Sequence, residues 1–477
     1  MLRNIEKKKL FISGKWQESR DSYELKSPYN DEVIATIPLS TPREVEEALD
    51  SAKKGALTIK SMTSLERSEI LENVSLLFKK RSEEAAVILA KECAKPLKAA
   101  RAEIARTIET YKFAAEEAKR INGETIPMDA AKNGKDRFAY TVREPLGIIA
   151  AITPFNFPFN LVAHKLGPAI AAGNSVVLKP ANQTPLSALL TAEIFEEAGL
   201  PANVLNVVTG KGSVIGDLLI KDKRVKMVTF TGSLEVGLGI KEKAGLKKVT
   251  LELGSNSAVI VDSTENLDSV VNRCVEGAYS FAGQVCISVQ RIYVKDELYD
   301  QFINKFIEKT KQLIVGDPMS EDTDLSAMIH HNEAKRVENW LLEAAQSGAV
   351  IAYGGKRDKA ILDPTVITGG SSKLSISCQE AFAPIVNILP YKTLDEAIDF
   401  VNDSNYGLQA GVYTTSVQKA FDAVNRIEVG GVMINDIPTY RVDQMPYGGV
   451  KNSGTGREGI KYSVEEMTEL KLVTFKL

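Results

Sequence analysis

A thiol, a carboxylate and a pair of carboxamides in this sequence are of types, and in places, that serve chemistry better than packing. Cys286, in "SFAGQVCIS", follows Gly283 and Gln284, a turn signal after a helical stretch, so its thiol is expected on a loop rather than on a core face. A bare cysteine packs as a small hydrophobe; one with access and a depressed pKa is a nucleophile. Glu252, in "TLELGSN", alternates with Leu251 and Leu253 at the end of an apolar strand, where a carboxylate is costly unless it is paired or used. Burial would raise it toward working pH, as a general base requires, and a salt bridge is the structural alternative. Asn156 and Asn160 lie in "ITPFNFPFN", within an uncharged run from Leu146 to Ala163. Carboxamides buried there need partners or a task.

Weaker signals accompany them. "TGKGSVIG" places Gly212 and Gly216, and "FTGSLEVG" places Gly232 and Gly237, between a strand and a helix, where helix N-terminal amides meet a pyrophosphate. Neither is a full GxGxxG, and such glycines also serve ordinary turns. A Cys286 and His164 pair would make a thiol hydrolase, but no spacing supports it and a helical histidine is usually structural. Cys93, Cys274, Cys286 and Cys378 lie far apart without a CxxC, which predicts free thiols, no metal site and no disulfides.

These groups need a scaffold, and the sequence supplies an alternating one. Residues 42 to 121 read as helices, the first capped by Thr41 with Pro42 at its first position. "GETIPMD" and "RFAYTVREPLG" read as a β hairpin extending from the body. From Gly147 to Leu253 apolar strands alternate with helices, from "GIIAAI" through "SVVLKP" and "VKMVTFTG" to "KVTLELG". That is repeated βα with strands buried on both faces, hence a parallel doubly wound sheet that binds ligands at the carboxyl ends of its strands. A second α/β region runs to about residue 465. The final "ELKLVTFKL" alternates like an edge strand and is expected to pair, with a neighbouring subunit as one partner.

At 477 residues the chain suits about three domains and an enzyme better than a small adaptor. The 59 basic and 62 acidic residues leave a net charge of -3, which gives no reason to expect nucleic acid. The N-terminus lacks the apolar core of a secretory signal, and the prolines and asparagines of the longest uncharged run make it a poor membrane span. A cytoplasmic protein without membrane contact is expected.

Taken in order, "TPFNFP", "GNSVVLKPANQTP", "FTGS", "LELGSN", "GQVC", "QEAFAPI" and "MPYGGVKNSGTGREG" resemble the aldehyde dehydrogenase superfamily over essentially the whole chain. The resemblance implies an α/β fold. Its parts would be a Rossmann-like NAD(P)-binding domain (1–122 and 146–253), a catalytic domain (254–465) and a β oligomerisation arm (123–145 and 466–477) of a homodimer or homotetramer. It implies Cys286 as nucleophile, Asn156 as oxyanion donor, Glu252 as base for the hydrolytic water, and Lys165 as an aid to proton movement; Asn160 would be structural. For the cofactor, Lys179 and Asn182 would meet the adenosine ribose and Gly212 and Gly216 the adenine side. Gly232 and Ser233 would meet the pyrophosphate, and Glu380 the nicotinamide ribose, with Phe382 close by. Thr153, Pro154, Phe155, Phe230, Thr231, Leu253 and Gly254 would complete that cleft. Phe157, His164, Val285 and Arg441 would face the substrate.

Departures from the usual pattern sharpen the reading. Asn182 replaces a common Glu that repels a 2'-phosphate, so both NAD and NADP are expected to serve. Ser255 and Asn256 replace Gly and Lys behind Glu252. Val285 stands where oxidisers of phosphorylated trioses tend to have Arg, while "YRVDQMPYGG" is most similar to the lactaldehyde and succinate-semialdehyde branches. A small hydroxylated or anionic aldehyde is therefore expected, with Arg441 or His164 holding its far end, although a loop arginine is often only solvated. The rivals are an acylating enzyme that passes the thioester to coenzyme A, whose members commonly lack the base Glu, and a non-catalytic protein that keeps the fold.

Overall fold

A computed structural model describes residues 5–477 of the chain. The alternating segment forms five parallel strands at the centre of an eight-stranded sheet. In spatial order they are Leu205–Val207, Ser175–Lys179, Ile148–Ile152, Val225–Thr231 and Lys248–Glu252. Ile148–Ile152 and Ser175–Lys179 are buried at every position, as strands covered on both faces must be. The winding reverses between Ile148–Ile152 and Val225–Thr231, and a crevice opens at the carboxyl ends there. The residues that leave those ends are Thr153, Pro154 and Phe155 from one strand, Gly232 and Ser233 from the next, and Leu253 and Gly254 from the third. Gly454–Thr455 closes this edge of the sheet against Leu251 and Glu252.

The helices of the N-terminal segment run Pro42–Ser61, Ser64–Lys80, Ser82–Cys93 and Leu97–Ala118. Thr41 caps the first, and Glu44 Oε2 accepts its backbone N–H at 2.6 Å. Leu97–Ala118 packs on Asn160–Ala171, the helix that follows the first parallel strand. Gly167 lets the two helices come together against Ala114, and Tyr111 also stacks on Phe78 of Ser64–Lys80 at 5.4 Å and meets Phe195 of Pro185–Glu197 edge-on at 5.5 Å. Helix Leu97–Ala118 thereby becomes a rigid wall beside the loop that carries Asn156.

A second sheet of seven strands runs Val350–Tyr353, Thr365–Thr368, Ile385–Tyr391, Arg291–Lys295, Ala258–Val261, Gln409–Tyr413, Gly431–Ile434, parallel throughout except at the first pair. The C-terminal strand Thr468–Lys476 lies antiparallel to Arg137–Pro145 over nine paired residues, and Thr125–Ile126 adds a short third strand. The expected pairing of this strand is met within the chain, by the hairpin strand, and its other edge stays open. One edge is satisfied by its own chain, because the hairpin is long enough to cover all of it. The Ser213 region is a π turn, Gly212–Gly216, that continues into Asp217–Lys221. Among the described residues no helix is long and apolar enough to cross a membrane.

Candidate active site

A cavity of about 850 Å³ lies at the carboxyl ends of the first sheet. Cys286 reaches it through a sharp turn. After helix Leu267–Tyr279, Phe281, Ala282 and Gly283 all take positive φ, at 47°, 53° and 67°. Three left-handed residues in a row are strained, and such strain persists only where the surroundings hold it. Gly283 has no alternative, since a Cβ there would stand 2.0 Å from the Ala383 carbonyl oxygen. Cys286 Sγ lies 2.9 Å from Tyr447 Oη, and the Arg441 guanidinium sits 3.7 Å from the centre of the Tyr447 ring. Burial pushes the thiol up to about 11, against the Tyr447 hydrogen bond and the Arg441 charge, which favour the thiolate.

Asn156 is held from two sides. Its Nδ2 donates to the Gln284 carbonyl at 3.0 Å, and its backbone carbonyl accepts from Lys95 Nζ at 2.6 Å. Its Oδ1 is buried without a partner. Lys95 is paired with Glu103 and lies over the rings of Phe157, at 3.8 Å, and Phe281, at 4.3 Å. Glu103 in turn accepts the backbone N–H groups of Phe159 and Asn160, which a helix start leaves free. The Asn160 amide is spent on Thr110 and Asp443.

Glu252 is buried with both carboxyl oxygens unpartnered, and burial, then the nearby Glu458, pushes its pKa well above the usual carboxylate range. Glu458 is buried too, yet the charges of Lys165 and Arg441 hold it down to about 2. Lys165 Nζ donates to Glu458 at 3.0 Å and to Thr231 Oγ1 at 2.8 Å, and Arg441 donates to Glu458 at 3.1 Å. Of two neighbouring carboxyl groups, burial thus pushes one up while fixed charges hold the other down, the pattern that lets one act as acid or base.

The other end of the cavity is built around backbone. Pro154, Phe155, Thr231, Gly232, Ser233, Leu253 and Gly254 line it. A Cβ on Gly254 would fall 2.0 Å from Glu380 Oε2, so glycine there makes room for that carboxyl group. Ser255 N–H donates to Glu380 at 3.1 Å, and burial pushes Glu380 up to about 7. Phe382 meets Phe155 edge-on at 5.8 Å. Thr153 and Phe230 stand behind this surface: Thr153 N–H donates to the Lys179 carbonyl, and the Phe230 ring packs under Gly232. Lys179, Asn182, Gly212 and Gly216 lie outside the cavity wall, with Gly212 beside the Lys179 side chain. Burial brings Lys179 down to about 8, and Asn182 Oδ1 is buried without a partner.

The aldehyde dehydrogenase family pattern matches residues 16–473. The chain belongs to the aldehyde dehydrogenase family. A 3-sulfolactaldehyde dehydrogenase of Priestia aryabhattai is 48% identical over 468 residues, covering 98% of each chain. Aldehyde dehydrogenase 21 of Physcomitrella patens, solved with its reaction product succinate, superposes with a TM-score of 0.97 at 39% identity, covering 99% of each chain. A glyceraldehyde-3-phosphate dehydrogenase of Methanocaldococcus jannaschii, solved with NADP, gives a TM-score of 0.92 at 41% identity, covering 96% of this chain and all of that one.

Within this family frame two substrate-side expectations change. His164 does not line the cavity: its side chain is fully buried behind the wall, with Nε2 2.8 Å from Asp443 Oδ1. It does not pair with Cys286 either, whose partner is Tyr447. Arg441 is not a solvated loop charge; its side chain is 7% exposed, it lines the cavity beside Phe157 and Val285, and its Nε has no partner. Sequence reasoning missed Tyr447, Glu458, Lys95 and Arg106. The first two stand inside the "MPYGGVKNSGTGREG" stretch and were open to attention there. Lys95 and Arg106 carry no local signal, because only helix packing brings them to the cavity. The substituted Asn256 is enclosed, donating to the Ser377 carbonyl and accepting from Arg291 and Ser404.

Proposed function

We propose that the protein oxidises a small, anionic or hydroxylated aldehyde to its carboxylic acid with NAD or NADP, through a thiohemiacetal and a thioester on Cys286. The observation that carries the chemistry is the convergence, in one cavity, of a thiol, a carboxamide donor and a buried carboxyl group with no partner of its own. The Cys286 thiolate attacks the aldehyde carbon. The second Asn156 N–H, the one not given to Gln284, and the Cys286 backbone N–H receive the developing oxyanion. A nicotinamide bound at Gly232, Ser233, Gly254 and Glu380 would supply the hydride acceptor; the Glu380 carboxyl group lodged against Gly254 and the unpartnered Asn182 Oδ1 are acceptors that suit the hydroxyls of a dinucleotide. Glu252 takes a proton from water, whose oxygen attacks the thioester; the C–S bond breaks, the acid leaves and the thiolate returns. Lys165, whose charge acts on Glu252, is assigned to assist movement of that proton.

The anionic tail is assigned to the guanidinium edges left free beside the nucleophile. Arg441 Nε is buried and unpartnered, and Arg106 gives its Nε and Nη2 to Asp443 while lining the same cavity. The names of the relatives, which include a sulfonated aldehyde and succinate, agree with such a tail. Neutral Asn182 near Lys179 leaves no acid to repel a 2'-phosphate, so kinetic constants with NAD and NADP are both expected to be measurable, and strict NAD use would contradict that assignment.

The residue segments 1–122 with 146–253, 254–465, and 123–145 with 466–477 are proposed as cofactor, catalytic and assembly units of a cytoplasmic homodimer or homotetramer. The four free thiols fit a reducing compartment. Intact-mass measurement tests the mechanism: Glu252→Gln, given aldehyde and cofactor, should retain an acyl group on Cys286. An unmodified protein after full exposure rejects the thioester.

A further inference from the structure

We propose that Tyr447 selects aldehydes carrying a hydroxyl on C2, by passing its one hydrogen bond from the sulfur of Cys286 to that hydroxyl once the sulfur has bonded. The inference deepens the reading of the site as one that oxidises small aldehydes on Cys286, and rests on it. Tyr447 is 2% exposed, and among the described residues the partner of its Oη is Cys286 Sγ alone, at 2.9 Å. The ring is not free to seek another. Arg441 lies over its face at 3.7 Å, Ile287 and Leu408 share its apolar cluster, and its backbone exchanges two hydrogen bonds with Glu458, at 3.0 and 2.7 Å. Burial holds the phenol well above its usual pKa, so the hydroxyl stays a donor.

The reaction takes that partner away. When Sγ attacks C1 of the aldehyde, its electron pair enters the new S–C bond and the C=O pair moves to the oxygen held by Asn156 and the Cys286 N–H. The sulfur, now bonded to two carbons, is a weak acceptor, and a buried donor left without a partner is costly. An oxygen on C2 stands three bonds from Sγ; gauche about C1–C2, it comes within reach of a hydroxyl that already touches the sulfur. Val285 and Ile287, which flank Cys286 in sequence and line the cavity, offer no side-chain polar atom in its place. A 2-hydroxyl therefore restores the bond in the thiohemiacetal and the thioester, which a 2-deoxy aldehyde cannot do. With the tail fixed at Arg441 and C1 at Cys286, one enantiomer turns its hydroxyl toward Tyr447 and the other turns it away.

The pair 3-sulfolactaldehyde and 3-sulfopropanal tests this, since the two share tail and length and differ in the 2-hydroxyl. Wild-type kcat/KM should favour the hydroxylated aldehyde by about tenfold or more, the scale of one buried donor left unpaired. Tyr447→Phe keeps the ring under Arg441 and should lower that ratio by about tenfold; its effect on thiol reactivity is common to both substrates and cancels. The wild-type protein should also prefer one enantiomer of 3-sulfolactaldehyde, and Tyr447→Phe should narrow that preference. An equal loss on both aldehydes in Tyr447→Phe confines the hydroxyl to the sulfur and overturns the inference. Equal use of the two enantiomers by the wild-type protein, or of the hydroxylated and 2-deoxy aldehydes, overturns it without the variant. In each of these cases the oxidation of small aldehydes on Cys286 stands. That reading falls, and the inference with it, if neither aldehyde yields reduced cofactor and acid.

Discussion

The contact between Cys286 and Tyr447 makes the nucleophile's resting state a matter of one hydrogen bond. A thiol pushed up by burial reacts slowly unless a donor and a positive charge favour its thiolate, and Tyr447, with Arg441 against its ring face, offers both. Tyr447→Phe is expected to shift the pH profile of Cys286 alkylation upward and to slow alkylation at pH 8 severalfold; an unmoved profile would show the contact to be incidental. Glu252 gives a pH dependence whose sign is definite. Its folded-state pKa is raised, so it is protonated at low pH and gains base character as pH rises. Thioester hydrolysis, followed by single-turnover release of acid, should therefore accelerate from pH 6 to pH 9, and Glu252→Gln should flatten that rise. Asn156→Ala removes one oxyanion donor, with an expected loss of about 100- to 1000-fold in turnover and little change in cofactor binding.

At the scale of elements, the loops carrying these residues are held by groups that never meet the reacting carbon. Lys95 ties the end of one helix to the Asn156 carbonyl, and Glu103, within the next helix, both pairs with Lys95 and caps the helix that begins at Asn160. Lys95→Met would leave a buried carboxylate unpaired, with an expected loss of about 3 to 5 kcal/mol measured by urea unfolding. The turn before Cys286 is equally committed. Gly283→Ala adds a Cβ at a positive φ and against a carbonyl oxygen, so it should cost more than about 1 kcal/mol and displace the thiol, seen as slower alkylation.

At the scale of the molecule, two exposed features face outward with nothing covering them among the described residues. The C-terminal strand presents Leu470, Leu472 and Phe475, and the last strand of the second sheet, Gly431–Ile434, has a neighbour on one side only. Open strand edges flanked by apolar side chains favour pairing with another chain. Ending the chain at residue 466 should lower the assembly state seen by sedimentation, and an unchanged sedimentation coefficient would place the interface elsewhere.

Much of this was legible from local pattern. Apolar strands alternating with helices from Gly147 to Leu253 dictate a parallel sheet, because strands without a polar face must be covered on both sides. The carboxyl-end positions of Glu252 and Gly232 follow from that sheet, and the Gly283 turn marks Cys286 as a loop thiol. Pairings across hundreds of residues were not legible. Nothing in a helix near position 100 announces that Lys95 will grip the loop at 156, or that Arg106 will share Asp443 with His164. Order along the chain determined the sheet and the types of the reacting groups. Tertiary packing alone decided which charges are buried together, and hence which carboxyl group is pushed up and which arginine edge is left free, because desolvation and Coulomb interaction depend on distance through space.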